Sequence, residues 1–262
     1  MGSVSTERET IQVGDSSIVT LVNGAGPVVV VLPSYGRDGG LDYDDFAIRA
    51  AGSGWRVLRP QPRGALGSVG PMVGVTFRDL ADDVAGVIAA LADGPIVVVG
   101  HAFGNLLSRM VTTEHPDLIR AVAIVASQSR AVPERIAQAP FVAGDPTRPV
   151  SERLAILQEA FFAPGSDARV WLDGWYPETL AMQRSAVESV PLQEYWRCGS
   201  VPLLEVIPDH DAFKPRKYWR EMRDDFGDRV TTAVVTGAGH ALFPEQPEAA
   251  AAAILSWAQG FR

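Results

Sequence analysis

Apolar residues recur along the chain in short runs that predict strands, of which the run at 28–32 is uninterrupted. These runs lie at residues 28–32, 95–100, 121–125, 201–207 and 230–235. They are five to seven residues long and rich in valine and isoleucine. Continuous apolar runs of this length are typical of parallel strands that are covered on both faces.

Two other patterns add strands to this set. Polar and apolar positions alternate over residues 9–14 and 17–22, around Gly14 and Asp15, which predicts an antiparallel hairpin. Residues 55–59 predict one more strand, so the complete pattern indicates a sheet of an eight-stranded type.

Helical patterns separate most of these strands. Apolar side chains recur at intervals of three and four residues over 77–92 and again directly after Gly104. Helices are also predicted at 42–51 and 247–258. Strands and helices that alternate in this way favour an α/β fold, in which helices cover both faces of a mostly parallel sheet.

The alternation stops between residues 130 and 200. This segment contains several prolines and aromatic residues, no pattern of a buried strand, and helical patterns at 152–162 and 177–188. We interpret it as a helical lid inserted before the last two strands, so that 1–129 and 201–262 form the core domain. A lid over a cleft commonly presents aromatic side chains to a ligand.

Composition narrows the classes of partner. The 262 residues carry a net charge of −8, which disfavours nucleic acid and anionic membranes and leaves a small molecule as the expected partner. The single cysteine, Cys198, excludes an internal disulfide framework and favours a reducing, cytoplasmic location. The polar stretch Met1–Thr10 predicts no secretory signal, and we expect no membrane span and no cofactor.

The central strand leads directly into a tight turn with the sequence Gly100-His101-Ala102-Phe103-Gly104. Its two glycines allow the strand and the next helix to approach closely, while the middle residue occupies a strained turn. This arrangement is typical of a nucleophile elbow, whose middle residue is serine. Here the middle residue is Ala102, and its methyl group cannot attack a substrate.

An acid and a histidine follow two later strands. Asp211 comes after the run at 201–207, and His240 comes after the run at 230–235. Ligands of open α/β sheets bind at the carboxyl ends of the strands. An imidazole that moves protons needs a carboxylate to hold its tautomer and to stabilise its cation. The order elbow, acid, histidine therefore predicts the scaffold of a catalytic triad.

Over nearly its whole length the chain resembles an α/β-hydrolase with a lid. The resemblance rests on the elbow, on Pro33-Ser34-Tyr35-Gly36, on Arg63-Gly64, on Asp211 and on Gly239-His240. In that family the aspartate often stands four residues before a proline, which favours Asp211, before Pro215, over Asp209. Family members commonly have His-Gly where this chain has Pro33-Ser34, but backbone N–H groups can still form the oxyanion hole.

The resemblance implies a role for each of these positions. Ala102 occupies the nucleophile position, and Asp211 and His240 form the acid–base pair. The backbone N–H groups of Tyr35 and Phe103 form the oxyanion hole. Substrate contacts are expected from Ser34, His101, Trp171, Trp175 and Phe213. No metal site is predicted, because the histidines lack the carboxylate or cysteine spacing of such sites.

The alanine at the elbow leaves three interpretations open. In the first, the natural protein has serine at position 102 and this chain is a deliberate knock-out. In the second, alanine is natural, and His240 acts as a general base on water or on an acidic substrate proton, as in lyases or cofactor-free oxygenases of this fold. In the third, the protein is a catalytically silent ligand-binding module.

The resemblance implies an enzyme that hydrolyses a small or medium, largely apolar ester or lactone. Epoxide or haloalkane hydrolysis is disfavoured, because its usual route needs an aspartate at position 102. Ser127 and Ser129, just past the run at 121–125, are the only nearby hydroxyls that could substitute as nucleophile, and substitution is disfavoured because their loop lacks the geometry of the elbow.

Overall fold

One mixed sheet forms the centre of the molecule. The computed structural model describes residues 5–262, and residues 1–4, where the predicted core domain begins, lie outside this range. The strands of the described range are β1 (Thr6–Val13), β2 (Ser16–Asn23), β3 (Val28–Leu32), β4 (Arg56–Pro60), β5 (Ile96–His101), β6 (Ile119–Val125), β7 (Leu203–Pro208) and β8 (Val230–Val235). Their order across the sheet is β1-β2-β4-β3-β5-β6-β7-β8. β2 runs antiparallel to both of its neighbours, and the other neighbouring pairs are parallel. The predicted eight-stranded, mostly parallel α/β fold is confirmed.

Helices cover both faces of this sheet. The helices of residues 5–262 are α1 (Leu41–Gly52), α2 (Phe77–Leu91), α3 (Phe103–Glu114), α4 (Glu134–Ala137), α5 (Ala139–Ala143), α6 (Val150–Ala160), α7 (Pro177–Glu188), α8 (Leu192–Tyr195), α9 (Glu221–Phe226), α10 (Leu242–Glu245) and α11 (Pro247–Ala258). α1 and α11 pack on one face, and α2 and α3 pack on the other. None of the described helices is both long and apolar enough to cross a bilayer.

Alternate residues of the central strands supply two separate apolar cores. In β3, Val29 and Val31 pack with α1 and α11, whereas Val30 and Leu32 pack with α2 and α3. This alternation follows from the two-residue period of a strand. It also explains why the run is apolar without interruption, because helices cover both of its faces.

Several element bounds agree with the hydrophobic pattern. β3, β8, α7 and α11 have the predicted limits, and the other predicted elements begin or end within a few residues of them. The first hairpin is longer than predicted, because Thr6 already pairs with Asn23. The alternating pattern is weaker at that end because most of β1 is exposed to solvent.

Residues 126–202, the helical segment, connect β6 to β7 and contain α4 to α8. Phe161 and Trp171 belong to its own apolar cluster. α7 contacts the loop after β3, where Gln183 Oε1 accepts a hydrogen bond of 2.8 Å from the Gly36 N–H. The segment therefore packs onto the carboxyl ends of the strands, and its role as a lid stays a prediction.

Candidate active site

The turn between β5 and α3 has a strained backbone at its apex. Ala102 has φ 51° and ψ −111°, a conformation that non-glycine residues rarely adopt. A Cβ atom at Gly100 would lie 2.3 Å from the Gly104 carbonyl oxygen, and one at Gly104 would lie 2.1 Å from that of Leu32. Both positions therefore require glycine, and the turn presents Ala102 toward the edge of the sheet as an elbow does.

His240 and Asp211 form a buried pair beyond the ends of β8 and β7. His240 Nδ1 lies 3.0 Å from Asp211 Oδ2 and 3.1 Å from Oδ1. The Phe213 N–H donates to Asp211 Oδ1 at 2.8 Å and helps to orient the carboxylate. Because Nδ1 donates its proton to this carboxylate, Nε2 is left as the basic nitrogen of the ring.

Ala102 and His240 line the same cleft at the carboxyl edge of the sheet. The other lining residues are Ser34, Tyr35, Phe103, Asn105, Leu106, Ala126, Gln128, Ala137, Pro140, Phe161 and Phe213. Most of these side chains are apolar or uncharged. The free space is about 50 Å³, which holds a few water molecules or a small substrate group without side-chain movement.

Aromatic rings hold the imidazole of His240 in place. The ring of Phe213 stacks on it with centroids 4.0 Å apart, and Phe161 contacts it edge-on at 5.6 Å. The Phe161 carbonyl also accepts a hydrogen bond of 2.8 Å from the Ala241 N–H, and a Cβ atom at Gly239 would lie 2.5 Å from the same oxygen. The predicted position Phe213 therefore lies in the cleft, against the proposed base.

His101 lies beneath the cleft and not in its lining, contrary to the predicted substrate contact. Its side chain is fully buried, Nε2 lies 2.7 Å from the His240 carbonyl oxygen, and Nδ1 lies 2.8 Å from Tyr43 Oη. Burial lowers the pKa of His101 to about 3, so the ring is neutral. Nε2–H then donates to the carbonyl, and Nδ1 accepts from the tyrosine hydroxyl.

Tyr43 connects this histidine to the loop after β3. Its hydroxyl accepts a hydrogen bond of 3.1 Å from the Ser34 N–H, in addition to donating to His101. The chain of contacts joins the loop of Ser34, the elbow and the loop of His240. No motif marks Tyr43 in the sequence, where it is one more position of the predicted helix 42–51.

Trp171 and Trp175 also lie outside the lining of the cleft, contrary to the predicted substrate contacts. Trp171 is fully buried, and its Nε1 donates to Asp42 Oδ1 at 3.2 Å. The Arg37 guanidinium packs over both indole rings, 4.4 Å from the ring centre of Trp171 and 5.2 Å from that of Trp175. These tryptophans anchor the helical segment to the loop after β3.

Asn105 is a cleft residue that the sequence analysis did not single out. Its side-chain amide donates to the Ala102 carbonyl at 2.5 Å, which holds the strained turn. Its position directly after the second elbow glycine is the signal that could have identified it. Across residues 5–262, no group of three or more His, Cys, Asp or Glu side chains is arranged to hold a metal ion.

Comparison with known proteins places the chain in one fold family. A sequence model described as alpha/beta hydrolase fold matches residues 27–247. The chain is 27% identical over 115 residues to a 2-(acetamidomethylene)succinate hydrolase of Mesorhizobium japonicum, covering 44% of this chain and 41% of that protein. It is 28% identical over 124 residues to Protein ABHD8 of Homo sapiens, covering 45% of this chain and 28% of that protein. The chain thus spans less than half the length of these curated relatives.

Solved structures resemble almost the whole chain. The esterase EaEST from Exiguobacterium antarcticum has a TM-score of 0.79 at 18% identity, covering 97% of this chain and 100% of that structure. An E-2-(acetamidomethylene)succinate hydrolase has a TM-score of 0.79 at 20% identity, with the same coverage of both chains. Likeness at these identities shows the fold alone. The sequence match over residues 27–247 shows in addition that the chain belongs to the alpha/beta hydrolase fold family.

Proposed function

We propose that this protein hydrolyses a small, largely apolar ester or lactone with His240 as general base. The observation that carries the proposal is the buried His240–Asp211 pair, which opens onto the cleft that Ala102 lines. Membership of a family of hydrolases supports the reaction class. The small, mostly uncharged cleft supports a compact substrate without formal charge at the reacting centre.

Water takes the place of the missing serine in this reaction. His240 Nε2 removes a proton from water, and the resulting hydroxide attacks the carbonyl carbon of the substrate. Asp211 stabilises the imidazolium that forms. The tetrahedral intermediate then collapses, and the imidazolium returns the proton to the leaving alkoxide. The products are an acid and an alcohol, joined in one molecule when the substrate is a lactone.

The oxyanion of the intermediate needs hydrogen-bond donors at the elbow. We assign this role to the backbone N–H groups of Tyr35 and Phe103, whose residues both line the cleft. Phe103 begins α3, a helix of 12 residues, so the partial positive charge of its N-terminus adds to the stabilisation. The hydrogen bond from Gly36 to Gln183 holds the loop that carries Tyr35.

In a second candidate function, His240 removes a proton from the substrate and not from water. Apart from His240, Tyr35 is the only titratable residue in the lining, and burial raises the pKa of its hydroxyl. A cleft with one base and no nucleophile suits removal of an acidic C–H or O–H proton from a substrate. A cofactor-free lyase or oxygenase would begin in this way.

The experiment is turnover of short-chain aryl esters and of a lactone panel by four proteins. These are the chain itself, Ala102→Ser, and a His240→Ala version of each. In serine enzymes, loss of the nucleophile costs roughly 10⁶ in rate and leaves about 10³-fold over water. We expect the unaltered chain to exceed this residual level, because His240 still activates water, and we expect His240→Ala to lower the rate to about that level.

Each alternative gives a different result. A gain of several orders of magnitude in Ala102→Ser, with labelling by a serine-directed phosphonate, identifies a serine hydrolase in disabled form. Loss of a non-hydrolytic reaction in His240→Ala, with no ester or lactone turnover, favours the proton-abstraction function. Absence of turnover in all four proteins rejects the proposal and favours a ligand-binding module.

A further inference from the structure

An open groove runs along the surface between the loop after β6 and α8. It is lined by Gln128, Ser129, Arg130, Leu192, Gln193, Trp196 and Arg197 and encloses about 440 Å³. Two of these seven lining residues are arginines, and none of the seven is acidic. Arg130 is paired with Asp225, so Arg197 gives the groove its positive charge on a protein whose net charge is −8.

The groove adjoins the candidate active site through one shared residue. Gln128 lines the groove and also the cleft that contains Ala102 and His240. Its side chain is exposed, so it stands between the two spaces. A molecule whose carbonyl group reaches His240 would have to pass Gln128 to enter the groove.

A buried hydroxyl without a partner lies in the groove wall. Ser129 is 3% exposed, and its Oγ has no hydrogen-bond partner among residues 5–262. The Ser129 N–H donates to the Phe213 carbonyl at 2.9 Å, so the backbone position is fixed. Buried polar groups are normally satisfied, but this oxygen is itself closed to solvent, so it is not a donor to a molecule in the groove.

Aromatic and cationic groups form the rest of this wall. The Trp196 ring stacks on the guanidinium of the fully buried Arg109, 4.2 Å from its ring centre. Arg130 pairs with Asp225, which also accepts a hydrogen bond of 3.2 Å from Trp196 Nε1. Arg197 is exposed at the groove and has no ion-pair partner within the described residues. Its guanidinium is thus free to bind an anion.

We propose that the groove binds the carboxylate or phosphate group of an anionic substrate. Arg197 supplies the principal charge–charge contact, and the Trp196 ring packs against the adjoining part of the molecule. The assignment to the substrate rests on the proposed function, whereas anion binding by the groove does not. The substrate is then an ester or lactone that is apolar around its reactive carbonyl and carries the anion at its far end.

The first test is calorimetric titration of the full chain with phenyl phosphate, benzoate and benzyl alcohol at low ionic strength. We expect at least one of the two anions to bind and the neutral alcohol not to bind. The anion that binds more tightly shows whether the groove prefers a phosphate or a carboxylate group. Arg197→Gln should weaken anion binding about tenfold, as expected for loss of a charge-assisted hydrogen bond. Equal binding of benzyl alcohol, or no binding of either anion, overturns the proposal.

A charge-matched control separates the groove from the overall field of the protein. Arg49→Gln removes the same charge from α1, where Arg49 pairs with Asp45 on the surface. We expect this variant to bind the anion within twofold of the unaltered chain. A loss equal to that of Arg197→Gln would show that binding follows net charge and not this site. Both arginines are surface residues, and circular dichroism checks that each variant folds.

The second test concerns the substrate. For any ester that the chain or Ala102→Ser turns over, we compare a neutral leaving group with the same group bearing a carboxylate. Arg197→Gln should raise KM about tenfold for the anionic ester alone and leave kcat unchanged. An equal rise in KM for both esters overturns the assignment to the substrate. If no ester is turned over, the proposed function fails, and the titration alone still decides whether the groove binds anions.

Discussion

The buried histidine of the elbow permits a quantitative prediction. His101→Phe keeps a ring in the site but removes the hydrogen bonds to the His240 carbonyl and to Tyr43. The carbonyl and the tyrosine hydroxyl proton would remain buried without partners. An unsatisfied buried polar group costs about 1–3 kcal/mol. We therefore expect the free energy of unfolding at pH 8 to fall by about 2–6 kcal/mol.

The same residue makes the stability of the unaltered chain depend on pH. Its pKa is about 3 in the native state, against 6.5 for an ordinary histidine, because burial disfavours the charged form. Below pH 6.5 the unfolded chain takes up a proton that native His101 does not. Stability is therefore complete above pH 6.5 and is lost as pH falls toward 3. Between pH 8 and pH 5 this histidine accounts for a loss of about 2 kcal/mol.

Urea unfolding at pH 8 and at pH 5 measures both effects. We expect the unaltered chain to lose about 2 kcal/mol more than His101→Phe between these two pH values. His210→Gln is the control for removal of an imidazole, because the His210 side chain is half exposed. This variant should change the free energy of unfolding at pH 8 by less than about 0.5 kcal/mol. Equal pH dependence in the unaltered chain and in His101→Phe would show that native His101 gains a proton as readily as the unfolded chain.

Three further predictions concern the framework of the site. Gly104→Ala should cost about 3 kcal/mol of stability or prevent folding, because the new Cβ would lie 2.1 Å from the Leu32 carbonyl oxygen. Gly52→Ala is the control and should cost nothing, because a Cβ there would have no atom within 4 Å. The melting temperatures of the two variants measure the difference. Asp83→Asn should cost about 3–5 kcal/mol in urea unfolding, because it leaves the buried Arg63 charge uncompensated, and a cost below 1 kcal/mol would contradict this. Gln183→Leu should speed hydrogen exchange at the Gly36 amide, which donates to the Gln183 side chain in the unaltered chain. An unchanged exchange rate would show that this hydrogen bond does not hold the loop.

The linear sequence determined most of the architecture. Its continuous apolar run predicts β3 with its observed limits, because a strand that is buried on both faces cannot tolerate polar residues. The limits of β8 also agree, although this edge strand contains two threonines and is mostly exposed. The two glycines around Ala102 similarly identify the elbow, since only glycine fits where strand and helix backbones nearly touch. Each of these signals is local and depends on the immediate chemistry of the backbone.

Only the tertiary structure decided which polar and aromatic groups face the cleft. His101 belongs to the elbow motif, but the His240 carbonyl and Tyr43 engage both of its ring nitrogens below the cleft. Trp171 lies in the helical segment as predicted, but Asp42 and Arg37 engage it away from the cleft. These partners come from distant parts of the chain, so no local pattern records them.

The groove that contains Arg197 is likewise formed by the tertiary structure and is not visible in the sequence. The loop of Arg130 and the turn after α8 that carries Arg197 are far apart in sequence, and neither has a recognisable motif. Folding brings them to one surface beside the cleft. Burial and backbone geometry leave a periodic record in the sequence, whereas contacts between side chains of distant segments depend on how those segments pack. For that reason the sequence alone predicts the fold and the elbow, and the structure is needed to locate the cleft lining and the groove.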